Sequence, residues 1–201
     1  MKSIEIIGFK RANLGKSASS EVRAEGHIPA VLYGGETQIH FFVPAYSLRD
    51  LVYTKEAKIV HLSVAGVQYK AIMQDLQFHP VNEAILHVDF LQIFDEKLVK
   101  IDIPVRIIGN SPGVQVGGKL VVKQNTLKIQ ALPANLPDFI DVNIDGLELG
   151  KSTRVGDVKK GEYEILNSNS LPIASVTIPR ALRNKQNEEA AAAAGGGKKK
   201  K

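Results

Sequence analysis

Cysteine is absent from the 201 residues, which excludes disulfide bonds, thiolate metal ligands and a cysteine nucleophile. Long apolar runs are lacking as well, because no stretch approaches the roughly 18 residues that a membrane span needs. The N-terminal segment MKSIEIIGFKRANLGK has no long apolar core followed by a small-residue cleavage site, so we expect no secretory signal. Together these absences predict a soluble, cytoplasmic protein without a membrane partner.

An excess of one charge is also lacking over most of the chain, although the formal net charge is +5. Residues 1–93 contain nine basic and nine acidic residues, and residues 94–179 contain ten of each. The excess arises in residues 180–201, where seven basic residues face two acidic ones. Net charge therefore says nothing about the folded part, where only local clusters can indicate a nucleic-acid partner. One such cluster is Lys10, Arg11, Lys16 and Arg23, whose cations suit phosphate contacts, although a solvated face is the usual alternative.

Hydrophobic residues make up 44% of the chain, which is enough to form a core, and most of their patterns are typical of strands. In the first half we expect strands at residues 3–9, 29–33, 39–43, 59–64, 67–76 and 84–93. A helix with a serine cap is predicted at 17–25, and another at 44–54 with Pro44 at its first position. The pair Ala65-Gly66 predicts a hairpin turn. Strands outnumber helices, which favours a small β-barrel with a few short helices in residues 1–93.

Residues 94–179 have scarce helical periodicity and predict a second, mainly β C-terminal domain. Its expected strands are residues 98–108, 120–122, 127–131, 140–144 and 173–178. The glycine-rich stretch 109–118 lacks the Gly-Lys-Ser/Thr of a phosphate-binding loop and is interpreted as an ordinary loop. Residues 180–201 are basic and of low complexity, and we expect them to be disordered in isolation.

His87 and Asp89 are the most suggestive pair, because residues two apart on a strand face the same side. They fit a catalytic pair, but no G-x-S-x-G elbow or similar nucleophile motif accompanies them. They fit a metal pair, with His79 as a third ligand suggested by sequence proximity alone. They also fit a polar fork that contacts RNA, with the imidazole as donor and the carboxylate as acceptor. A plain surface pair is the fourth alternative, and spacing alone leaves all four open.

Two further features are consistent with binding. Gln74, Gln77 and His79 belong to a strand expected to lie near the last barrel strand, and such side chains can recognise base edges. Tyr33 precedes Gly34-Gly35, where glycine permits close approach to a ligand and tyrosine can stack on a base. An ordinary solvated strand face and a core tyrosine followed by a turn explain the same residues.

In combination these segments resemble a known family. Residues 10–35 (KRANLGKSASSEVRAEGHIPAVLYGG) and 74–90 (QDLQFHPVNEAILHVDF) look like large-ribosomal-subunit protein twenty-five. The two-domain organisation is similar to the general-stress Ctc branch, as are SPGV at 111–114, Gly117-Gly118 and LPIASV at 171–176. The resemblance covers about residues 3–179.

The resemblance implies an N-terminal six-stranded β-barrel, at residues 1–93, that binds 5S ribosomal RNA in the bacterial large subunit. It implies a ribosome-associated structural protein whose other partners are large-subunit ribosomal RNA and neighbouring ribosomal proteins. Enzymatic activity, catalytic residues, metal ligands, cofactors and small-molecule substrates are not expected. The RNA-binding residues that it implies are Lys10, Arg11, Lys16, Arg23, Tyr33, Gln74, Gln77, His87 and Asp89.

Two departures from the family pattern remove positive charge. Consecutive arginines are common in the family just before the position of Arg23, whereas residues 19–22 are Ser-Ser-Glu-Val. A basic residue is common at the position of Phe78. Fewer phosphate contacts imply a flatter salt dependence and a weaker isolated affinity than an arginine-rich relative has.

Two other classes of function remain as alternatives. A hydrolase using His87 and Asp89, with or without a metal, would need a nucleophile or third ligand that the sequence does not reveal. A stress-linked protein acting away from the ribosome would bind a partner through its C-terminal β domain.

Overall fold

The computed structural model describes residues 2–54, 56–159 and 161–179. Internal contacts divide the chain into two compact units. The first comprises the described residues of Met1–Pro104, Lys128–Phe139 and Gly161–Ile165, and the second those of Val105–Leu127, Ile140–Lys160 and Leu166–Lys201.

A closed six-stranded barrel dominates the first unit, with the order β1-β3-β2-β6-β5-β4. Its strands are β1 (Lys2–Lys10), β2 (His27–Tyr33), β3 (Ile39–Pro44), β4 (Lys58–Val64), β5 (Val67–Phe78) and β6 (Ile85–Gln92). The pairs β1–β4 and β2–β6 are parallel, whereas β1–β3, β2–β3, β4–β5 and β5–β6 are antiparallel. Closure leaves no free sheet edge, so every barrel strand has two hydrogen-bonded neighbours.

Alternating apolar residues fill the barrel. On β6, Val88 and Phe90 are fully buried, while His87 and Asp89, which alternate with them, are partly exposed. The rings of Phe41 and Phe90 have centroids 5.9 Å apart within this core. This period of two is the pattern from which the strands were predicted, because successive side chains point to opposite faces. The inward set therefore fixes which side chains lie outside.

The helices of the barrel are short, as predicted, but their details differ. The first, α1 (Lys16–Ala24), packs against β2 and has Gly15 at its N-cap, so the predicted serine cap is wrong. The predicted helix at 44–54 is instead a 3₁₀ turn (Ala45–Leu48) followed by α2 (Arg49–Val52). Pro44 ends β3 in extended backbone (φ −58°, ψ 135°) and is not the first helical residue. Its strand pairing with His27 takes precedence over its helix-starting preference.

Outside the barrel, the first unit contains the beginning of β7 (Val99–Ile108), most of β9 (Thr126–Ala131), a 3₁₀ turn (Pro133–Asn135) and β12 (Glu164–Ile165). β12 pairs antiparallel with β9, with Ile165 opposite Ile129.

In the second unit, β10 (Ile140–Asn143) runs parallel to residues 105–108 of β7. A separate three-stranded sheet has the order β11-β13-β8, formed by β11 (Ser152–Arg154), β13 (Pro172–Thr177) and β8 (Lys119–Val122). Short helical segments lie at α3 (Pro112–Gln115) and at the 3₁₀ turn Val155–Asp157. Ile144, Leu147 and Val176 form a small buried core, with Ile107, Leu120 and Leu149 packed against it.

The predicted fold class is confirmed, because the barrel is closed and six-stranded and the remainder is mainly β. The hairpin at Ala65-Gly66 is also observed, with φ of 51° and 83° at its two residues. The strands β11 and β12 were missed, since segments of three and two residues are too short for a periodicity. Helix α3 lies within the stretch that was predicted to be a loop. The domain boundary after residue 93 stays a prediction, and the predicted tail at 180–201 lies outside the described residues.

Gly113 provides a first test of the packing in the second unit. Replacing Gly113 by alanine is expected to destabilise the protein by about 1–3 kcal/mol, the usual effect of overpacking. The added Cβ would lie 2.7 Å from backbone atoms of Glu148 and Leu149, which have little freedom to move. Denaturant unfolding of the full chain measures the change.

Gly146→Ala is the matched control, because a Cβ there meets nothing within 4 Å. It should leave the unfolding midpoint nearly unchanged. Equal midpoints for the two variants would show that the close packing around Gly113 is not real.

Candidate nucleic-acid interface

A group of polar side chains lies on the outer face of the barrel where β2, β6 and β5 adjoin. In the strand register, Gln77 lies opposite His87 and Asp75 lies opposite Asp89. Tyr33 is on the neighbouring β2, opposite Leu91 of β6. We call Tyr33, Asp75, Gln77, His87 and Asp89 the polar face. A sheet holds such side chains on rigid backbone, which suits recognition of a shaped partner.

His87 and Asp89 form a close imidazole–carboxylate contact within this face. The Nδ1 of His87 lies 2.7 Å from Oδ1 of Asp89, and the two side chains are 28% and 31% exposed. The Nδ1 side of the ring therefore faces the carboxylate, and Nε2 remains as the ring nitrogen able to meet a partner. The carboxylate has acceptor capacity of its own.

Burial and the carboxylates of the polar face affect the pKa of the Tyr33 hydroxyl. The pKa of its hydroxyl is raised above the ordinary value, first by burial and then by the negative charges of Asp89 and Asp75. The phenol therefore keeps its proton at neutral pH and remains a hydrogen-bond donor. This electrostatic coupling shows that the three side chains share one surface region.

The two glycines after Tyr33 lie close to β6. A Cβ at Gly34 would lie 2.7 Å from the side chain of Leu91, and one at Gly35 would lie 2.2 Å from the side-chain oxygen of Gln92. Gly34 also has φ of 95°, a conformation that L residues rarely adopt. The left-handed backbone of Gly34 and its close approach to β6 account for this glycine without a ligand, whereas the contact at Gly35 is with the end of the flexible Gln92 side chain.

Two of the predicted cations, Arg11 and Arg23, donate hydrogen bonds that connect α1 to its surroundings. Arg11 donates through Nη2 to Oγ of Ser19 (3.0 Å), and Oγ of Ser19 donates to the carbonyl of Gly15 (2.8 Å). Arg23 donates through Nε to the carbonyl of Leu86 (3.0 Å), the residue before His87. Arg23 thereby connects α1 to the edge of the polar face, with its terminal nitrogens left for other contacts.

The remaining predicted residues, Lys10, Lys16 and Gln74, are not part of the polar face. Lys10 is exposed at the end of β1, where it pairs with Phe41 of β3, and Lys16 is exposed at the start of α1. Gln74 lies at the irregularity between Met73 and Asp75, so it has no partner position on β6. An extra residue of this kind bends a strand and redirects neighbouring side chains.

The catalytic and metal alternatives gain no support from this geometry. His79 uses Nδ1 to accept the backbone N–H groups of Val81 (3.2 Å) and Asn82 (3.5 Å), so it organises its own loop. In the described part of the chain, no group of three His, Asp or Glu side chains is placed to hold a metal ion. Among the same residues no helix has the length and apolar character to cross a membrane.

Sequence reasoning missed two residues of this region. Asp75 was passed over although it lies between the two selected glutamines, because its place opposite Asp89 depends on the strand irregularity. Ser19 was counted only as a lost arginine, yet it anchors Arg11 to α1. Its separation of eight residues from Arg11 offers no periodic signal.

Comparison with known proteins agrees with this architecture. The family model described as the Ribosomal L25p family matches residues 6–90, and that of the C-terminal domain of ribosomal protein TL5 matches residues 98–180. Proteins named large ribosomal subunit protein bL25 are similar to it over nearly their whole length. That of Cytophaga hutchinsonii is 54% identical over 92% of this chain and 97% of the relative. Those of Amoebophilus asiaticus and Porphyromonas gingivalis are 51% and 40% identical, each over 91% of this chain and over 93% and 96% of the relative.

The family matches and these relatives define a ribosomal protein, which is a structural and not an enzymatic class. The chain belongs to the Ribosomal L25p family, in the two-domain form that carries a TL5-type C-terminal domain. The family names confirm the predicted resemblance and the prediction of a non-enzymatic protein.

Proposed function

We propose that this protein is a structural constituent of the bacterial large ribosomal subunit, associated with ribosomes in the cytoplasm, and that it binds 5S ribosomal RNA. The names of the relatives support the role as a constituent of the large ribosomal subunit. The 5S RNA is the partner that the family resemblance implies, and the polar face with the nearby Arg23 offers groups that can contact RNA.

The observation that carries the proposal is the chemistry of the polar face. It combines an amide, an imidazole, a phenol and two carboxylates on adjacent strands, with Nδ1 of His87 2.7 Å from Oδ1 of Asp89. Carboxylates repel phosphates but accept hydrogen bonds from base amino groups, so this surface suits base edges. Arg23, bonded to the carbonyl of Leu86 beside His87, suits an adjoining phosphate.

Such a surface needs a particular form of RNA. The major groove of regular A-form RNA is too deep and narrow for side chains to reach base edges. A partner with a widened, non-standard helical segment would expose those edges to a protruding strand face. Folded ribosomal RNA with irregular base pairs fits this requirement better than a uniform duplex does.

Sedimentation combined with cross-linking tests the proposal directly. The full chain, expressed in a bacterium with a purification tag, should co-sediment with large subunits after low-salt washing. Ultraviolet cross-linking of those subunits should join the barrel to 5S RNA. Free protein at the top of the gradient, or cross-links to other RNA without any to 5S, would contradict it.

An added arginine should restore part of the phosphate contact that the departure at residues 19–22 removes. Ser20 is exposed on α1, three residues before Arg23, so Ser20→Arg places a new cation on the same helix. We expect the slope of log affinity against log salt to steepen by about 0.7–0.9 for the one added phosphate contact. Filter binding to 5S RNA across a salt series measures the slope.

Val116→Arg is the charge-matched control, because Val116 is 63% exposed and belongs to the second unit. The same increase in net charge there should leave the slope unchanged. A steeper slope in both variants would mean that total charge, and not the position on α1, governs binding.

A further inference from the structure

A second feature of the barrel surface lies on the other side of Arg23. It is an open groove of about 650 Å³ between α1, the turn region at 45–53 and the loop between β5 and β6. Tyr46 and Tyr53 line it and are 80% and 67% exposed, which is unusual for large aromatic side chains. We call this feature the tyrosine groove.

The cations of the tyrosine groove are available to a partner. Arg23 and Arg49 both line it, and neither forms an ion pair within the part of the chain that the structure describes. Arg23 engages the carbonyl of Leu86 through Nε alone, so its two terminal nitrogens remain. None of the described residues that line the groove is acidic. The charge of the groove therefore complements a phosphate.

The loop between β5 and β6 adds polar groups with defined orientations. Asn82 accepts the backbone N–H of Ala84 through Oδ1 (3.2 Å), which leaves its NH₂ as a donor. His79 uses Nδ1 within the loop, which leaves Nε2. Two aromatic rings, two guanidinium groups and a few fixed polar groups form the combination by which proteins stack and hold single-stranded bases.

The position of the groove also connects it with the polar face. Leu86 lines the groove, and the next residue along β6 is His87. Arg23 bonds to Leu86, so an RNA strand leaving the polar face would meet its guanidinium next. An acidic or apolar peptide would gain little from this continuity, because the neighbouring surface is suited to bases.

We propose that the tyrosine groove binds an unpaired nucleotide of single-stranded RNA, beside the helical RNA that the polar face contacts. The inference rests on the proposed RNA-binding function and extends it to a second RNA conformation. The tyrosine rings stack on bases, and Arg49 and Arg23 hold the adjoining phosphates. This subsite would explain why Tyr46 and Tyr53 are exposed beside two arginines that form no ion pair with a described residue.

The test uses the full chain and a fluorescent hexauridylate carrying 4-thiouridine. Binding is followed by anisotropy at low salt, and cross-linked peptides are identified by mass spectrometry. The variant Tyr46→Leu/Tyr53→Leu should bind the hexamer roughly tenfold or more weakly, the usual effect of removing base stacking. The variant Tyr46→Phe/Tyr53→Phe keeps both rings and should bind almost normally. Thermal unfolding checks that all variants remain folded.

The outcomes separate this inference from the proposed function. Asp89→Ala should lower 5S affinity and leave hexamer binding intact, so an unchanged 5S affinity in this variant would overturn only the proposed function. Three results would overturn the tyrosine groove as an RNA subsite: equal hexamer binding by wild type and the leucine variant, cross-links confined to residues 180–201, or equally tight binding of an acidic hexapeptide of matched charge.

Discussion

Replacing Asp89 by alanine is expected to weaken binding to 5S RNA by roughly 10- to 100-fold, because a good base-edge contact contributes about 1–3 kcal/mol of discrimination. The change removes an acceptor and also the carboxylate that lies 2.7 Å from Nδ1 of His87. Binding to an unrelated RNA of the same length should stay constant or tighten, since a negative charge disappears. Filter binding to both RNAs measures the two effects in one experiment.

Asp95→Ala is the matched control for charge. Asp95 is a 77% exposed carboxylate that lies 3.3 Å from Lys70 and is not part of the polar face. Its replacement should leave the ratio of the two affinities unchanged. Parallel losses on 5S and unrelated RNA in Asp89→Ala would remove the base-edge role from this residue.

Replacing Phe90 by alanine is expected to destabilise the protein by about 3–5 kcal/mol, the usual range for deleting a large core aromatic. Phe90 is fully buried and packs near Phe41, with ring centroids 5.9 Å apart. The loss is comparable with the whole stability of many domains, so much of the barrel would unfold near physiological temperature. Denaturant unfolding followed by circular dichroism measures it.

Phe78→Ala is the corresponding control on the neighbouring strand, because Phe78 is 46% exposed. It should shift the unfolding midpoint only slightly. Similar losses for Phe90→Ala and Phe78→Ala would contradict the assignment of inward and outward faces, on which the position of His87 and Asp89 depends.

The sequence predicted the barrel well where residues alternate. Val88 and Phe90 point inward and His87 and Asp89 outward, as a period of two requires. It predicted the secondary structure less well where strand pairing competes with the local conformational preference of a residue. Pro44 has a helix-starting preference but continues β3, because its pairing with His27 extends the sheet. Segments as short as Glu164–Ile165 carry no period at all.

The candidate site likewise contains residues that the sequence pattern predicts and residues that only the fold brings together. The His87–Asp89 pair follows from spacing on one strand, and its geometry agrees with that expectation. The place of Asp75 depends on the register with β6 and on an irregularity that periodicity does not reveal. The tyrosine groove gathers residues from α1, the turn after β3 and the β5–β6 loop, so only the closed barrel brings them together. The roles of all nine predicted RNA-binding residues stay predictions until binding is measured.

The most direct measurement is a competition between 5S RNA and an unrelated structured RNA of equal length for the full chain at near-physiological salt. If the polar face recognises a particular RNA shape, 5S RNA should prevail by a factor on the order of 10³, the lower end of specificity ratios for sequence-specific nucleic-acid binding. If the two RNAs compete equally, the protein binds through its cations alone, and the polar face is not the recognition surface.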